Sequence, residues 1–176
     1  MKMKKRLFVL LLAAVMALTC LTGCKDALRK ITGASNEVQE EDTTRWAEQT
    51  GDPLIIQGIG DPSAKFDTAM VDGCLYAVFN GIWSRNTNYF AVPTGTLKVV
   101  ACGTAEGAQK FKVALWKKTD AGVEYVPDST YYVKTDGTDY TCTISGLDPA
   151  GIYRMTISYD SSRYYLYGLL KLEGVG

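Results

Sequence analysis

The side chains that most often carry out enzymatic chemistry are scarce in this sequence of 176 residues, which contains no histidine. Histidine is the commonest general base near neutral pH and the commonest metal ligand, so its absence excludes Ser-His-Asp and Cys-His catalysis. The five cysteines include no Cys-x-x-Cys pair, so we predict neither a zinc site nor a thioredoxin-type redox site. We therefore expect no catalytic residue, no metal ligand and no enzymatic activity.

Two carboxylates that flank a cleft can hydrolyse a glycosidic bond without histidine, and this leaves one enzymatic alternative open. The candidate carboxylates nearly all adjoin Gly, Pro or Ser, where aspartate usually forms a turn or caps an element. They are Asp61, Asp67, Asp72 and Asp128. We keep a small carboxylate-pair hydrolase as a third hypothesis, behind two functions that need no catalysis.

Aromatic side chains occur where the sequence pattern predicts exposure to solvent. Trp83 lies in a polar stretch between two candidate strands, and Trp116 shares a strand face with lysines. In the last candidate strand, Tyr165 and Tyr167 fall on the face opposite a row of leucines. The apolar face of a pyranose packs on such a ring while polar neighbours bind its hydroxyls, so we predict a glycan-binding face. The alternative for each ring is ordinary packing, beneath lysine stems or a second layer of the protein.

The N-terminus combines three features of a secretory signal: a basic start, an apolar run and small residues at a cleavage point. The apolar run extends from Leu7 to Leu18, and the chain then reads Leu21-Thr22-Gly23-Cys24. This pattern resembles the lipobox of bacterial lipoproteins. The resemblance implies cleavage before Cys24, which would then carry covalent diacylglycerol and acyl lipid, with no other cofactor expected. Two acyl chains or more suffice for stable attachment, so we expect an exported protein that is lipid-anchored to the bacterial cell membrane, with its domain outside the cytoplasm. The alternative is an uncleaved N-terminal anchor.

The charge balance bears on possible partners. The whole chain has 19 basic and 19 acidic residues, and the predicted signal contains four of the basic ones and no acidic one. Its removal would leave 15 basic and 19 acidic residues, a formal charge of −4. This balance provides no basic surface for nucleic acid. The expected partners are the membrane, through the anchor, and either a glycan or another envelope protein.

The sequence divides into residues 1–23 as signal peptide, 24–50 as a flexible lipid-anchored tether and 51–176 as a folded domain. The tether is polar and charged and has no sustained apolar periodicity. Its one large apolar side chain, Trp46, either docks on the domain or lies near lipid headgroups. The domain begins at Gly51-Asp52-Pro53 and continues as short alternating segments with a turn signal about every eight to twelve residues, which is typical of a β-sandwich.

Alternation assigns faces to several of these candidate strands. The segment from Lys110 to Lys117 has apolar residues on one face and lysines on the other, whereas Cys74 to Asn80 is apolar on both faces. Cys142 falls on an apolar face and Cys102 on the opposite side of its sheet. The cysteines that remain after Cys24 are odd in number, so we expect buried free thiols, with a bridge between Cys102 and Cys142 as the alternative.

The most specific structural signal is a corner sequence that follows the alternating segment from Tyr140 to Ile144. It contains Leu147, Pro149 and Tyr153 at offsets that resemble the E–F corner of fibronectin type III domains. In that family the tyrosine hydroxyl hydrogen-bonds back to the backbone, a tyrosine corner, and the resemblance implies this role for Tyr153. Upstream, the stretches at Tyr89–Val92 and Thr96–Val100 look more like bacterial pre-peptidase C-terminal domains, which are jelly-roll-like sandwiches. We therefore predict an all-β fold, an antiparallel β-sandwich of jelly-roll or fibronectin III-like type.

These observations favour a membrane-anchored envelope lipoprotein whose β-sandwich is a non-catalytic binding or scaffold module, with glycan binding as its possible role. The first alternative is a structural or assembly subunit that contacts another envelope protein through an exposed strand edge. The carboxylate-pair hydrolase is the second.

Overall fold

The computed structural model of this chain describes residues 45–107 and 110–176. The predicted signal peptide (1–23), the predicted lipidation site at Cys24 and the first part of the predicted tether lie outside the described residues, so they stay predictions. Within the described ranges, no helix has the length and apolar character needed to cross a lipid bilayer.

The described residues form twelve β-strands and no helix, which confirms the all-β prediction. The first six strands are β1 (Glu48–Gln49), β2 (Phe66–Val71), β3 (Cys74–Ile82), β4 (Ser84–Asn86), β5 (Phe90–Ala91) and β6 (Thr96–Thr104). The other six are β7 (Lys110–Thr119), β8 (Gly122–Tyr125), β9 (Tyr131–Lys134), β10 (Asp136–Ser145), β11 (Ile152–Ser158) and β12 (Leu166–Glu173).

The strands form two antiparallel sheets that pack face to face, so the predicted β-sandwich is confirmed. The first sheet has the order β1-β10-β6-β12-β3-β2, and the second has the order β4-β11-β7-β8 with β5 beside β11 and β9 beside β7. Apolar side chains from both sheets fill the space between them. Phe79 of the first sheet meets Phe111 of the second edge to face, with ring centroids 6.2 Å apart.

The order in which the strands pair distinguishes between the two predicted kinds of sandwich. The paired strands are nested along the chain. Strand β3 pairs with β12, and between them in the sequence lie the pairs β4 with β11, β6 with β10 and β7 with β9, each inside the one before. Successive pairs alternate between the two sheets. Such nested pairing across two sheets is the connectivity of a jelly roll and not that of a seven-stranded fibronectin-like sandwich.

The predicted faces of the strands agree with the structure. Phe111, Val113 and Leu115 of β7 all point into the core and are at most 2% exposed. On β10, Cys142 is likewise buried between its apolar neighbours, as its alternation predicted. Cys74, Cys102 and Cys142 are free, and Cys74 and Cys102 are only half-buried. In β7 and β10, residue alternation therefore identified the side chains that face inwards.

A stretch without regular structure covers the outer face of the first sheet. Because β1 and β2 lie at opposite edges of that sheet, residues 50–65, here called the crossing segment, pass over it. Near β10, the N–H of Leu54 donates a hydrogen bond to the Asp139 carboxylate at 2.8 Å. Near β2, Gly58 lies so close that a Cβ added to it would be 2.5 Å from a methyl carbon of Val71. The crossing segment is thus a third layer on the sandwich.

This third layer explains the strand that the sequence predicted to be apolar on both faces. Leu75, Ala77 and Phe79 of β3 belong to the core between the sheets. Tyr76 and Val78 point outwards from the sandwich, yet they are only 3% and 2% exposed. Their burial follows because the crossing segment and its neighbours shield the face on which they lie.

The start of the folded part differs from the predicted boundary at Gly51. Strand β1 pairs with β10, and the backbone of residues 45–47 hydrogen-bonds to Tyr132 in both directions, at 2.8 and 2.9 Å. Arg45 forms an ion pair with Asp128 at 2.6 Å. The Trp46 ring lies 5.8 Å from the Tyr132 ring, so Trp46 docks on the domain. Residues 45–50 therefore belong to the sandwich and not to the tether, and their short polar sequence carried no strand signal.

Candidate ligand-binding site

Three of the four aromatic residues that the sequence singled out lie together at one end of the sandwich. Trp83 lies between β3 and β4, Tyr165 immediately precedes β12, and Tyr167 lies on β12. The antiparallel pairing of β12 with β3 brings these positions side by side, since Leu166 pairs with Ile82. All three rings are between 43% and 48% exposed. We call Trp83, Tyr165 and Tyr167, with the neighbouring Tyr164, the aromatic end.

The centre of the aromatic end is a stacked pair of rings. The Trp83 and Tyr165 rings have centroids 4.9 Å apart and are tilted by only 16°. The indole N–H of Trp83 donates a hydrogen bond to the Tyr164 carbonyl at 2.9 Å, and the Trp83 carbonyl accepts one from the Tyr159 N–H at 2.6 Å. The first bond fixes the orientation of the indole, and the second holds the backbone from which it projects. Each ring keeps one face outside the stack.

The loop between β11 and β12 presents Tyr164 and Tyr165. Strand β12 starts later in the chain than the sequence predicted. The sequence placed Tyr165 in the last candidate strand, whereas β12 begins at Leu166. The Ser161 hydroxyl accepts hydrogen bonds from the N–H groups of Arg163 and Tyr164, which folds the chain into a turn. This local bonding competes with extension of the strand. Arg163 lies over the Tyr164 ring at 5.4 Å from its centroid.

Two depressions flank Tyr165, and both are of a size suited to a small ligand. The first depression has a volume of about 600 Å³ and is lined by residues that include Thr104, Glu106, Arg163, Tyr164, Tyr165 and Tyr167. The second depression has a volume of about 440 Å³ and is lined by residues that include Lys65, Ile82, Trp83, Ser84, Arg85 and Tyr165. Hydroxyl and cationic groups therefore lie beside the exposed rings in both depressions, and the first depression also has a carboxylate.

Backbone features at Gly81 shape the floor of this site. The register of β3 against β12 shifts here, because Leu166 pairs with Ile82 while Tyr167 pairs with Asn80. Gly81, at a φ of 76°, is the extra residue and forms a β-bulge in the left-handed region that glycine favours. A Cβ at this position would lie 3.6 Å from the Tyr167 hydroxyl oxygen.

Trp116, the fourth aromatic residue that the sequence assigned to this face, lies elsewhere. It pairs with Arg154 of β11, whereas β4, next to Trp83, pairs at Ser158. These positions are about 13 Å apart along β11 at about 3.3 Å per residue. Trp116 is half-buried and meets Tyr125 of β8 edge to face at 5.6 Å. The structure thus does not bring Trp116 to the aromatic end, because the strand register places it near the other end of β11.

The tyrosine corner has the geometry that the resemblance implied. The Tyr153 hydroxyl accepts a hydrogen bond from the N–H of Asp148 at 2.9 Å and donates one to the carbonyl of the same residue at 3.0 Å. Tyr153 is 1% exposed and Leu147 is buried beside it, whereas Pro149 is exposed. These contacts join the end of β10 to the start of β11, away from the aromatic end.

The candidate carboxylates are engaged in local structure. Asp61 accepts two hydrogen bonds from Ser63, which lower the pKa of its carboxyl group. Asp72 and Asp128 occupy turns with φ values of 48° and 60°. Asp67 accepts hydrogen bonds from the N–H groups of Asp61 and Thr68. Neither depression at the aromatic end is lined by two carboxylates.

The described part of the chain also brings no three Cys, Asp or Glu side chains together as a metal site would need.

Comparison with known proteins adds no family. No protein-family model matches the chain, and no curated protein matches it significantly.

The sequence analysis missed several residues of the site. Lys65, Thr104, Glu106, Arg163 and Tyr164 line the two depressions but did not stand out in the sequence. Arg163 and Tyr164 could have been found, because Ser161-Ser162 before them is a turn signal in front of an aromatic pair. The others come from distant strand ends and depend on the sheet topology.

Proposed function

We propose that this protein is an exported lipoprotein, anchored to the bacterial cell membrane through Cys24, whose aromatic end binds glycans without catalysis. The observation that carries the proposal is the exposed Trp83–Tyr165 stack, which is held by backbone hydrogen bonds between two depressions. The fold by itself does not decide between functions, because jelly rolls serve many.

Glycan binding suits this arrangement for physical reasons. The C–H groups on one face of a pyranose are apolar and pack on an aromatic ring, while the hydroxyls at its rim need polar partners. The free faces of Trp83 and Tyr165 supply the first kind of contact. Ser84, Thr104 and the charged groups around the depressions supply the second. Because the indole is already oriented, binding loses little side-chain entropy at this position.

Titration calorimetry with a panel of soluble polysaccharides, both neutral and acidic, tests the proposal. The full chain is kept in a detergent that has a polyoxyethylene headgroup and no sugar. We expect saturable binding to at least one polysaccharide, and about tenfold weaker binding for Trp83→Ala and for Tyr165→Ala. Trp116→Phe is the control, because it alters an aromatic residue away from the site and should bind as the native chain does.

The outcome that overturns the proposal is the absence of binding across the panel by a chain whose circular dichroism is native. Equal loss of binding in Trp116→Phe would also contradict it, since the aromatic end would then have no special part. Retained binding in both Trp83→Ala and Tyr165→Ala would have the same meaning.

One observation favours the assembly alternative, in which a strand edge contacts another envelope protein. Strand β2 forms an edge of the first sheet, and among the described strands it pairs only with β3. Met70 on this strand is 48% exposed. A charged residue on such an edge opposes pairing with a further strand. If assembly through β2 is the function, Met70→Lys should abolish an in-cell cross-link to the partner while glycan binding stays unchanged.

A further inference from the structure

Cationic groups are concentrated at the aromatic end, although the domain as a whole is slightly acidic. From position 45 onwards the chain has 12 basic and 14 acidic residues. Lys65, Arg85 and Arg163 nevertheless all line the two depressions, with Glu106 as the one carboxylate among the lining residues. Glu106 and Arg163 both belong to the first depression. The second depression has Lys65 and Arg85 and no carboxylate in its lining.

The positive charges of the second depression are not neutralised by ion pairs within the described residues. The ion pairs seen elsewhere in the described residues involve other cations, which include Arg45, Lys98, Lys117 and Lys171. Arg85 is exposed and donates a hydrogen bond to the Ser84 carbonyl at 3.1 Å. Lys65 is exposed at the end of the crossing segment. Two acidic residues close to it in the sequence, Asp61 in the crossing segment and Asp67 on β2, accept hydrogen bonds from backbone N–H groups and form no ion pair with it.

Trp83 and Tyr165 complete this second depression with aromatic surface. A ring beside two unpaired cations matches a ligand that has both an apolar sugar face and a negative charge. A guanidinium group binds a carboxylate through two parallel N–H bonds, which gives Arg85 a geometric preference for carboxylate. A neutral sugar would leave both cations without a partner.

We infer that the aromatic end selects acidic glycans, and that a hexuronic acid unit binds in the second depression with its ring against Trp83 and its carboxylate between Lys65 and Arg85. The inference rests on the proposed function, since it specifies the kind of glycan. The first depression, with both signs of charge, takes the adjoining sugar unit.

The test compares two polymers that differ only in charge: polygalacturonate and the same polymer after reduction of its carboxyl groups to alcohols. Calorimetry on the full chain should give about tenfold tighter binding of the acidic polymer, because two partly exposed cations each contribute a modest ion pair. The preference should shrink as NaCl rises from about 50 mM to about 500 mM. Polyacrylate, which has carboxylates but no sugar rings, should bind at least tenfold more weakly than polygalacturonate.

Two double variants separate the site from general charge. Lys65→Gln with Arg85→Gln should remove most of the preference while the affinity for the reduced polymer stays within about twofold. Lys98→Gln with Lys118→Gln removes the same amount of charge from the ends of β6 and β7 that lie away from the aromatic end. This variant should keep the preference for the acidic polymer. All four positions are exposed, so we expect both variants to fold.

The inference fails if both polymers bind equally, if the Lys65 and Arg85 variant keeps the native preference, or if polyacrylate binds as well as polygalacturonate. In the first two of these cases, binding of the reduced polymer leaves the proposed function standing. If neither polymer binds and the polysaccharide panel also fails, the proposed function is overturned together with the inference.

Discussion

Tyr153 shows how one side chain can hold a whole corner of the sandwich. Its hydroxyl group makes two hydrogen bonds to the backbone of Asp148, from a ring that is 1% exposed. Replacing it with phenylalanine keeps the packing of the ring and leaves both backbone groups without this partner. The ring itself lies in the core, so its shape remains matched to its surroundings.

We expect Tyr153→Phe to lower the free energy of unfolding by about 1–2 kcal/mol, because each lost hydrogen bond contributes roughly 1 kcal/mol. Urea denaturation followed by tyrosine and tryptophan fluorescence measures the change. Tyr131→Phe serves as the control, since its hydroxyl makes one exposed hydrogen bond, to the Thr143 carbonyl at 3.2 Å. An equal effect of the two substitutions would show that the corner contact has no special weight.

Single residues also mark what could be predicted from the sequence. The inward positions of β7, the buried Cys142 and the role of Tyr153 all followed from local alternation or a local motif. The grouping of Trp83 with Tyr164 did not, since these residues are 81 positions apart and meet only because β3 pairs with β12. Trp116 was misassigned because its distance from the other rings depends on the strand register, and because the sequence did not show that Tyr125 packs against its ring.

At the scale of elements, the crossing segment is the part of the fold that the sequence indicated least. It has no strand, and its few apolar side chains, such as Leu54 and Ile56, show no long periodicity. It nevertheless covers the face on which Cys102 lies. Burial and a hydrogen bond to Asp139 raise the pKa of the Cys102 thiol to about 11. Asp139 in turn accepts the hydrogen bond from Leu54 in the crossing segment.

Displacing the crossing segment should therefore make Cys102 more reactive. Only the thiolate reacts with iodoacetamide, so at about pH 8 the native Cys102 should be modified slowly. Gly58→Ala adds a methyl group that meets Val71, at a φ of 69° that already disfavours alanine. We expect Cys102 in this variant to be modified at least about threefold faster, as measured by peptide mass spectrometry.

Gly146→Ala is the matched control for this experiment. Gly146 has a φ of 78°, so the backbone strain is similar, but a Cβ there meets nothing within 4 Å and the crossing segment is untouched. Equal acceleration in both variants would mean that general loss of stability, and not displacement of the segment, exposes the thiol.

The raised pKa also predicts how stability depends on pH. In the unfolded chain a cysteine ionises near pH 8.5, well below the value of about 11 for Cys102 and about 12 for Cys142 in the fold. Above about pH 8.5 the unfolded state loses protons that the folded state keeps, so the free energy of unfolding should fall as the pH rises. Replacing both residues by alanine should reduce that alkaline slope in urea denaturation. An unchanged slope would contradict the prediction.

At the scale of the whole molecule, the proposal joins a membrane anchor to a site at one end of a rigid sandwich. Cys24→Ala removes the residue that the lipobox resemblance assigns to lipidation. We expect the native chain to sediment with membranes and to carry acyl chains by mass spectrometry, and the variant to lack them. Cys74→Ala is the control, because it alters a cysteine within the sandwich. Acyl chains on the Cys24→Ala protein would refute the assignment.

Two-dimensional NMR of the indole N–H signals of the three tryptophans gives a direct test of glycan binding at the aromatic end. Each signal is assigned by a Trp→Phe variant, and polysaccharide is titrated into the full chain in sugar-free detergent. We expect the Trp83 signal to shift saturably, since the Trp83 N–H donates a hydrogen bond to the Tyr164 carbonyl within the site, while the signals of Trp46 and Trp116 stay in place. A titration that leaves the Trp83 signal unmoved, or that moves Trp116 instead, would contradict glycan binding at the aromatic end.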